Sequence, residues 1–192
     1  MELTNSFDVA RSIDETWAVL TDVERIAPCL PGAQLQEIDG DEYRGIVKVK
    51  VGPITAQYKG AASFAQKDDD AHKAVLDAKG RDTRGAGNAE AVITAQLEAV
   101  DGGTTRVDVF TDLKVTGKVA QFGRGVMADV SAKLMGQFAD NLHDMLAQEG
   151  VDDGGSDVGG DAAAPAADTT AGEAAEEPSG PRRIDAPEVE AV

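Results

Sequence analysis

Two histidines, one cysteine and a few polar-tipped aromatics are the groups with which this 192-residue chain could do chemistry. His72 follows the acidic turn Asp68-Asp69-Asp70, and His143 stands between Leu142 and Asp144. Neither falls in a metal-binding spacing, and a histidine near a helix C-terminus is favoured there electrostatically without any ligand. Cys29 lies between Pro28 and Pro31 with no base beside it, which reads as a packed or pocket-lining thiol rather than a nucleophile. One cysteine also excludes an internal disulfide and a thiolate metal cluster. Gly123-Arg124-Gly125 carries two glycines of a phosphate loop, but no strand-turn-helix with a third glycine surrounds them. Two glycines inside a helix cost about 1 kcal/mol each relative to alanine, so they mark a place where a helix kinks or breaks. Tyr58 and Trp17 remain, each an apolar body whose polar tip can bond a ligand carbonyl. These groups equip the chain for binding better than for catalysis.

The charge balance narrows the partners. The net charge is −17, and residues 149–192 contribute −10 of it through twelve acidic residues against Arg182 and Arg183. Nucleic-acid binding needs clustered cations to displace counterions, so the acidic balance argues against that class. Simple electrostatic adhesion to anionic lipid is disfavoured for the same reason. Glu2, Asp8, Arg11, Asp14 and Glu15 are incompatible with a secretory signal. No apolar run approaches the roughly 20 residues that span a bilayer. A soluble, cytoplasmic protein is expected. Residues 149–192 have no aromatic residue and are rich in Gly, Ala, Pro and Asp, so they are expected to be a disordered acidic tail. Residues 1–148 form the expected single domain.

The elements that must position any site follow from periodicity. Val119, Phe122, Val126, Val130, Leu134, Phe138, Leu142 and Met145 recur every three or four residues, predicting one long helix over 116–148. Met127, Met135, Ala139 and Leu146 widen its apolar stripe. Residues 2–10 read as a first strand, and Ser12-Ile13-Asp14-Glu15 matches a capping box that starts a short helix. A second short helix after a break near Asp22 ends at Pro28, where Pro28-Cys29-Leu30-Pro31-Gly32 makes a rigid turn. The period then changes to two. Strands are predicted over 34–39, 43–51, 54–66, 73–81, 90–99 and 105–115, separated by acidic and glycine turns.

The expected inner faces of these strands are small. Ile54, Ala56, Tyr58, Gly60, Ala62 and Phe64 alternate in one strand, Ala74, Leu76 and Ala78 in the next, and Ala89, Ala91, Ile93, Ala95 and Leu97 in a third. A bent sheet lined by alanine and glycine either packs very close to the helix or leaves a cavity with mostly apolar walls.

This order of elements resembles the α+β helix-grip fold of START domains and Bet v 1-like proteins: a curved antiparallel sheet of about seven strands around a long C-terminal helix, with two short helices after strand 1. Within it, residues 28–33 (PCLPGA), 45–54 (GIVKVKVGPI), Tyr58-Lys59-Gly60, 85–89 (GAGNA) and 115–123 (VTGKVAQFG) carry a narrower likeness that covers residues 1–148. In these the chain is similar to the carbon monoxide dehydrogenase G-subunit family. The resemblance implies a non-enzymatic accessory protein of an aerobic molybdenum-containing carbon monoxide dehydrogenase or related hydroxylase. It would bring the enzyme to the cytoplasmic membrane and couple it to the quinone pool. The cavity would then hold a respiratory quinone (menaquinone or ubiquinone) or another lipid. Some relatives carry an apolar C-terminal anchor; the acidic tail here departs from that, so transient membrane contact through the cavity mouth is expected.

Alternation and the helical stripe give the expected cavity lining. From the helices and the turn come Trp17, Leu30, Phe122, Val126, Met127, Met135 and Phe138. The strands contribute Val49, Tyr58, Ala62, Leu76, Ile93, Val109 and Leu113. In the tail, Arg182-Arg183-Ile184, within a stretch near 181–190, reads as a short basic-apolar segment that docks on a partner. Two rivals stand beside this reading. One is an enzyme of the aromatase/cyclase type, which needs an ionisable residue at the centre of a polar cavity; the other is a ligand-free assembly factor.

Overall fold

A computed structural model describes residues 1–152 and 182–184. Strand β1 (Glu2–Val9) leads into helices α1 (Ile13–Leu20) and α2 (Val23–Ile26) and a 3₁₀ turn at Ala27–Cys29. The capping box forms: the Ser12 Oγ accepts the Glu15 N–H, and the Glu15 carboxylate accepts the Ser12 N–H at 3.1 Å. Asp22 caps α2 in the same way, accepting the Arg25 N–H at 3.2 Å. Strands β2 (Ala33–Asp39), β3 (Glu42–Val51), β4 (Ile54–Asp68), β5 (Lys73–Asp82), β6 (Asn88–Asp101) and β7 (Thr104–Val115) follow, then the long helix α3 (Gly123–Asp152). A last short strand, β8 (Arg182–Arg183), completes an eight-stranded sheet in the order β1-β7-β6-β5-β4-β3-β2-β8. All described pairings are antiparallel. This is the helix-grip arrangement.

The helix begins later than the stripe predicts. Gly117 and Gly123 have φ of +82° and +70°, outside the helical region, and bracket a 3₁₀ turn at Lys118–Phe122. Val119 is nevertheless buried, so the apolar spacing runs on through a turn that is not α-helical. At its other end α3 continues to Asp152, past the expected boundary at 148. Most of the expected tail, residues 153–181 and 185–192, lies outside the described residues.

Register fixes which side chains face α3. Val49 pairs with Ala56, Tyr58 with Asp82, Ala62 with Ala78 and Leu76 with Ile93, so the alternating small residues do share the concave face. Bulges at Leu35/Glu37, Phe64/Gln66 and Ala99/Asp101 help the long strands coil around the helix.

The core divides in two along α3. Around the C-terminal half, Phe138, Leu142 and Leu146 pack against Val9, Trp17, Leu97, Val107 and Val109. Around the N-terminal end, Met127 packs with Val51, Ala56 and Val119. Between Met127 and Phe138 no residue of α3 is buried, although those ten positions make about 15 Å of helix.

Candidate functional site

The gap between the two halves of the core is a cleft of about 640 Å³. Three elements wall it. The middle of α3 supplies Val130, Leu134 and Gln137, the turn after α2 supplies Pro28, Leu30 and Pro31, and the β2–β4 corner supplies Leu35, Val49 and Thr55. The Asn141 side-chain amide donates to the Cys29 carbonyl at 2.8 Å, tying the proline-rich turn to the helix. The Lys48 N–H donates to the Gly32 carbonyl at 2.8 Å, fixing the same turn to β3. The walls are therefore pinned on both sides while the space between them stays open.

Away from the cleft, the sheet carries rows of small residues that do not line it. Gly45, Gly60, Gly80 and Ala89 lie in register across four strands. A Cβ at Gly60 would stand 1.9 Å from the Lys79 carbonyl oxygen and 2.6 Å from the Gly80 Cα. The backbones thus approach where a side chain would keep them apart. The next row, Tyr43, Ala62, Ala78 and Ala91, is also mostly small.

Beside Gln34, Thr55, Gln137 and Asn141, the cleft is lined by four charged groups. Lys48, Lys50 and Lys133 line it and make no ion pair among the described residues. Glu24 is the one carboxylate among the described lining residues, and its partner is the Arg182 guanidinium. The other candidate chemical groups lie elsewhere. Cys29 is buried with its Sγ 3.7 Å from the Met145 Sδ, and burial pushes its thiol pKa up, with Glu149 adding to the rise. A neutral packed thiol is a poor nucleophile. The His72 ring contacts an Asp14 carboxylate oxygen at 3.2 Å and stands edge-on to Trp17. Trp17 Nε1–H donates to Asp69 at 2.8 Å. Tyr58 is pushed above its ordinary pKa by burial and then by Asp82. Among the described residues no group of three His, Cys, Asp or Glu side chains could hold a metal ion. No described helix is long and apolar enough to cross a membrane.

The sequence profile of the carbon monoxide dehydrogenase G subunit (CoxG) matches residues 6–147, about three quarters of the chain. The chain belongs to the CoxG family. No functionally curated protein matches it. Among solved structures, a conserved protein from Geobacillus kaustophilus superposes with a TM-score of 0.70 at 19% identity, covering 78% of this chain and 97% of that one. The Zhui aromatase/cyclase from Streptomyces sp. R1128 superposes at 0.58 with 12% identity over 81% and 99% of the two chains. Norcoclaurine synthase from Thalictrum flavum, solved with dopamine and hydroxybenzaldehyde, superposes at 0.53 with 15% identity over 77% and 87%. At these identities the structural likenesses establish the fold alone.

For this CoxG family member the residues expected to line a cavity fall into four places. Leu30 and Val49 line the cleft. Trp17, Val109 and Phe138 are buried in the larger core, with Leu76, Ile93 and Met135 packed against it. Met127 is buried in the smaller core, with Tyr58, Leu113, Phe122 and Val126 against it. Ala62 lies on the concave face between its partners Tyr43 and Ala78. Sequence reasoning passed over Leu35, Thr55, Val130, Leu134, Gln137 and Asn141 as lining residues. Val130 and Leu134 carried a usable signal, since both belong to the helical stripe. Arg182 and Arg183 pair with β2, and Ile184 reaches the cleft.

Proposed function

We propose that this CoxG family protein binds a lipophilic molecule in the cleft between α3, the proline-rich turn and the β2–β4 corner, and that the molecule is a respiratory quinone such as menaquinone or ubiquinone. The carrying observation is the cleft itself: about 640 Å³ left open by a helix whose middle turns are unburied. Ligand pockets of about 300–1,000 Å³ with mostly apolar walls and few polar groups suit this class of molecule. A ring system lodges between Val130, Leu134, Leu30 and Val49, and an isoprenoid tail leaves through the open side. Family membership supports the rest of the proposal: the protein serves a molybdenum-containing carbon monoxide dehydrogenase or related hydroxylase, recruiting it to the inner face of the membrane and coupling it to quinone. Membrane contact is peripheral and transient. The role is binding rather than catalysis, because Glu24, the one carboxylate among the described lining residues, is bonded to Arg182.

Native mass spectrometry of the purified chain, with solvent extraction of whatever co-purifies, tests the proposal. A bound isoprenoid quinone, or stoichiometric uptake of added menaquinone, is the expected result. A protein that purifies empty and takes up neither menaquinone nor ubiquinone overturns it.

A further inference from the structure

Residues 182–184 return to the sheet after a connection of 29 residues, 153–181. Arg182 pairs with Ile38 and Arg183 with Glu37, and the Ile184 N–H donates to the Gln36 carbonyl at 3.0 Å. The receiving edge is shaped for this. β2 slips register against β3 between Leu35 and Glu37, so Gln36 has no partner residue in the β2–β3 register and its carbonyl serves the outer edge instead. Alternation places Arg182 and Ile184 on the concave side with Ile38. The Arg182 guanidinium there bonds to Glu24 of α2, and Ile184 joins the apolar wall of the cleft beside Leu30 and Leu35. Arg182 also walls a second groove with Ala18, Thr21, Ile38 and Tyr43. Within 149–192, Arg182 and Arg183 are the only basic residues, and one of them meets the carboxylate at the rim of the cleft.

We propose that residues 182–184 are a latch that docks in cis on the β2 edge and restricts access to the cleft. The use of the latch rests on the cleft being the binding site; its docking does not. Two properties make it reversible. Its hold consists of a few ladder hydrogen bonds, one exposed ion pair and the single apolar side chain of Ile184, each of modest net strength. Its connection is long: 29 residues extend to at most roughly 100 Å, so leaving and returning are not limited by reach. An edge accepts one strand at a time, so a partner that adds its own strand to β2 opens the cleft in the same step.

The test is thiol accessibility of the cleft in the full chain. Leu134→Cys, and separately Val130→Cys, on a Cys29→Ala background report access through their rate of reaction with a small maleimide. Arg182→Glu raises that rate about twofold to fivefold, the range an exposed ion pair supports, and Ile184→Asp raises it at least as much. Glu24→Arg combined with Arg182→Glu restores the original rate. In parallel, hydrogen exchange at the Ile184 amide is protected in the unmodified chain, and that protection falls by about the same twofold to fivefold in Arg182→Glu. Equal labelling rates in all variants at both reporter positions, an unprotected Ile184 amide, or a charge-swapped pair that fails to restore the rate overturns the latch. The assay contains no lipid. A chain that takes up no quinone but shows these differences therefore loses the binding proposal and keeps the latch, and uniform rates in a quinone-binding chain do the reverse.

Discussion

Replacing Gly60 by alanine isolates the close backbone approach from every other role of that glycine. Gly60 lies inside β4 and is not among the glycines with positive φ, so alanine faces no conformational obstacle there. The obstacle is spatial: the new Cβ falls 1.9 Å from the Lys79 carbonyl oxygen and 2.6 Å from the Gly80 Cα, both backbone, so no rotamer change relieves it. Two effects oppose each other. Lower entropy of the unfolded chain favours alanine by about 0.4–1 kcal/mol, whereas overpacking that forces backbone shifts costs about 1–3 kcal/mol. A contact this short belongs at the upper end, leaving a net loss of about 2 kcal/mol. For a domain of this size that lowers Tm by about 4–8 °C. Gly80, in the same row, is the internal control. Its added Cβ first meets the Tyr58 Cβ at 3.2 Å, an atom fixed to its backbone, but one that has to shift by only a few tenths of an ångström, against far more at Gly60. Gly80→Ala should therefore stay within about 2 °C of the unmodified chain. Thermal unfolding followed by circular dichroism, with urea titration as a check, measures both. Equal shifts for the two variants, or a Gly60→Ala chain as stable as the original, would refute the reasoning that the approach of β4 to β5 requires glycine.

Four further outcomes follow from the same geometry. Leu142, 1% exposed at the centre of the larger core, should cost about 2–5 kcal/mol as alanine in urea unfolding. Thr16 is 1% exposed with an Oγ1 that has no hydrogen-bond partner among the described residues, so Thr16→Val should gain about 1 kcal/mol by removing an unsatisfied buried hydroxyl. Burial pushes Cys29, Tyr43 and Tyr58 above their ordinary pKa values, so the folded chain keeps these protons to higher pH than the unfolded chain does. Their effect on stability is then level below about pH 9, the ordinary cysteine value, and negative above it; urea midpoints should fall as the pH rises above about 9, less steeply in Cys29→Ala. Val130→Trp should fill the cleft and abolish menaquinone uptake while leaving the melting temperature near that of the parent, since Val130 is only partly buried.

What the sequence disclosed and what it hid have separate physical causes. Strands β2 to β7 were legible because each has one face toward the helix, so apolar and polar residues alternate, and the capping box at Ser12 marked α1 by chemistry rather than by pattern. The start of α3 was hidden because burial, not helicity, produces the stripe: Val119 is buried from a 3₁₀ turn between two positive-φ glycines, and its spacing continues that of the true helix. The position of the cleft was hidden for a deeper reason. Alternation tells which side chains face α3, but not which of them α3 covers; Trp17 and Phe138 are covered, whereas Val49 and Leu134 border open space. Coverage depends on how far the helix stands from the sheet, and buried side chains at its two ends, Met127 on one side and Phe138 with Leu142 on the other, hold it there. β8 was legible only as composition, because two paired residues are too few to show a period. Its register comes from the β2 edge, where the bulge at Gln36 turns a carbonyl outward. The features that give this domain its proposed function thus lie where local sequence pattern is weakest. A helix is held off the sheet by packing at its ends, and an edge is left open by a one-residue slip. Substitutions that change the spacing at Met127 or Phe138 should therefore alter the cleft without touching a single residue that lines it.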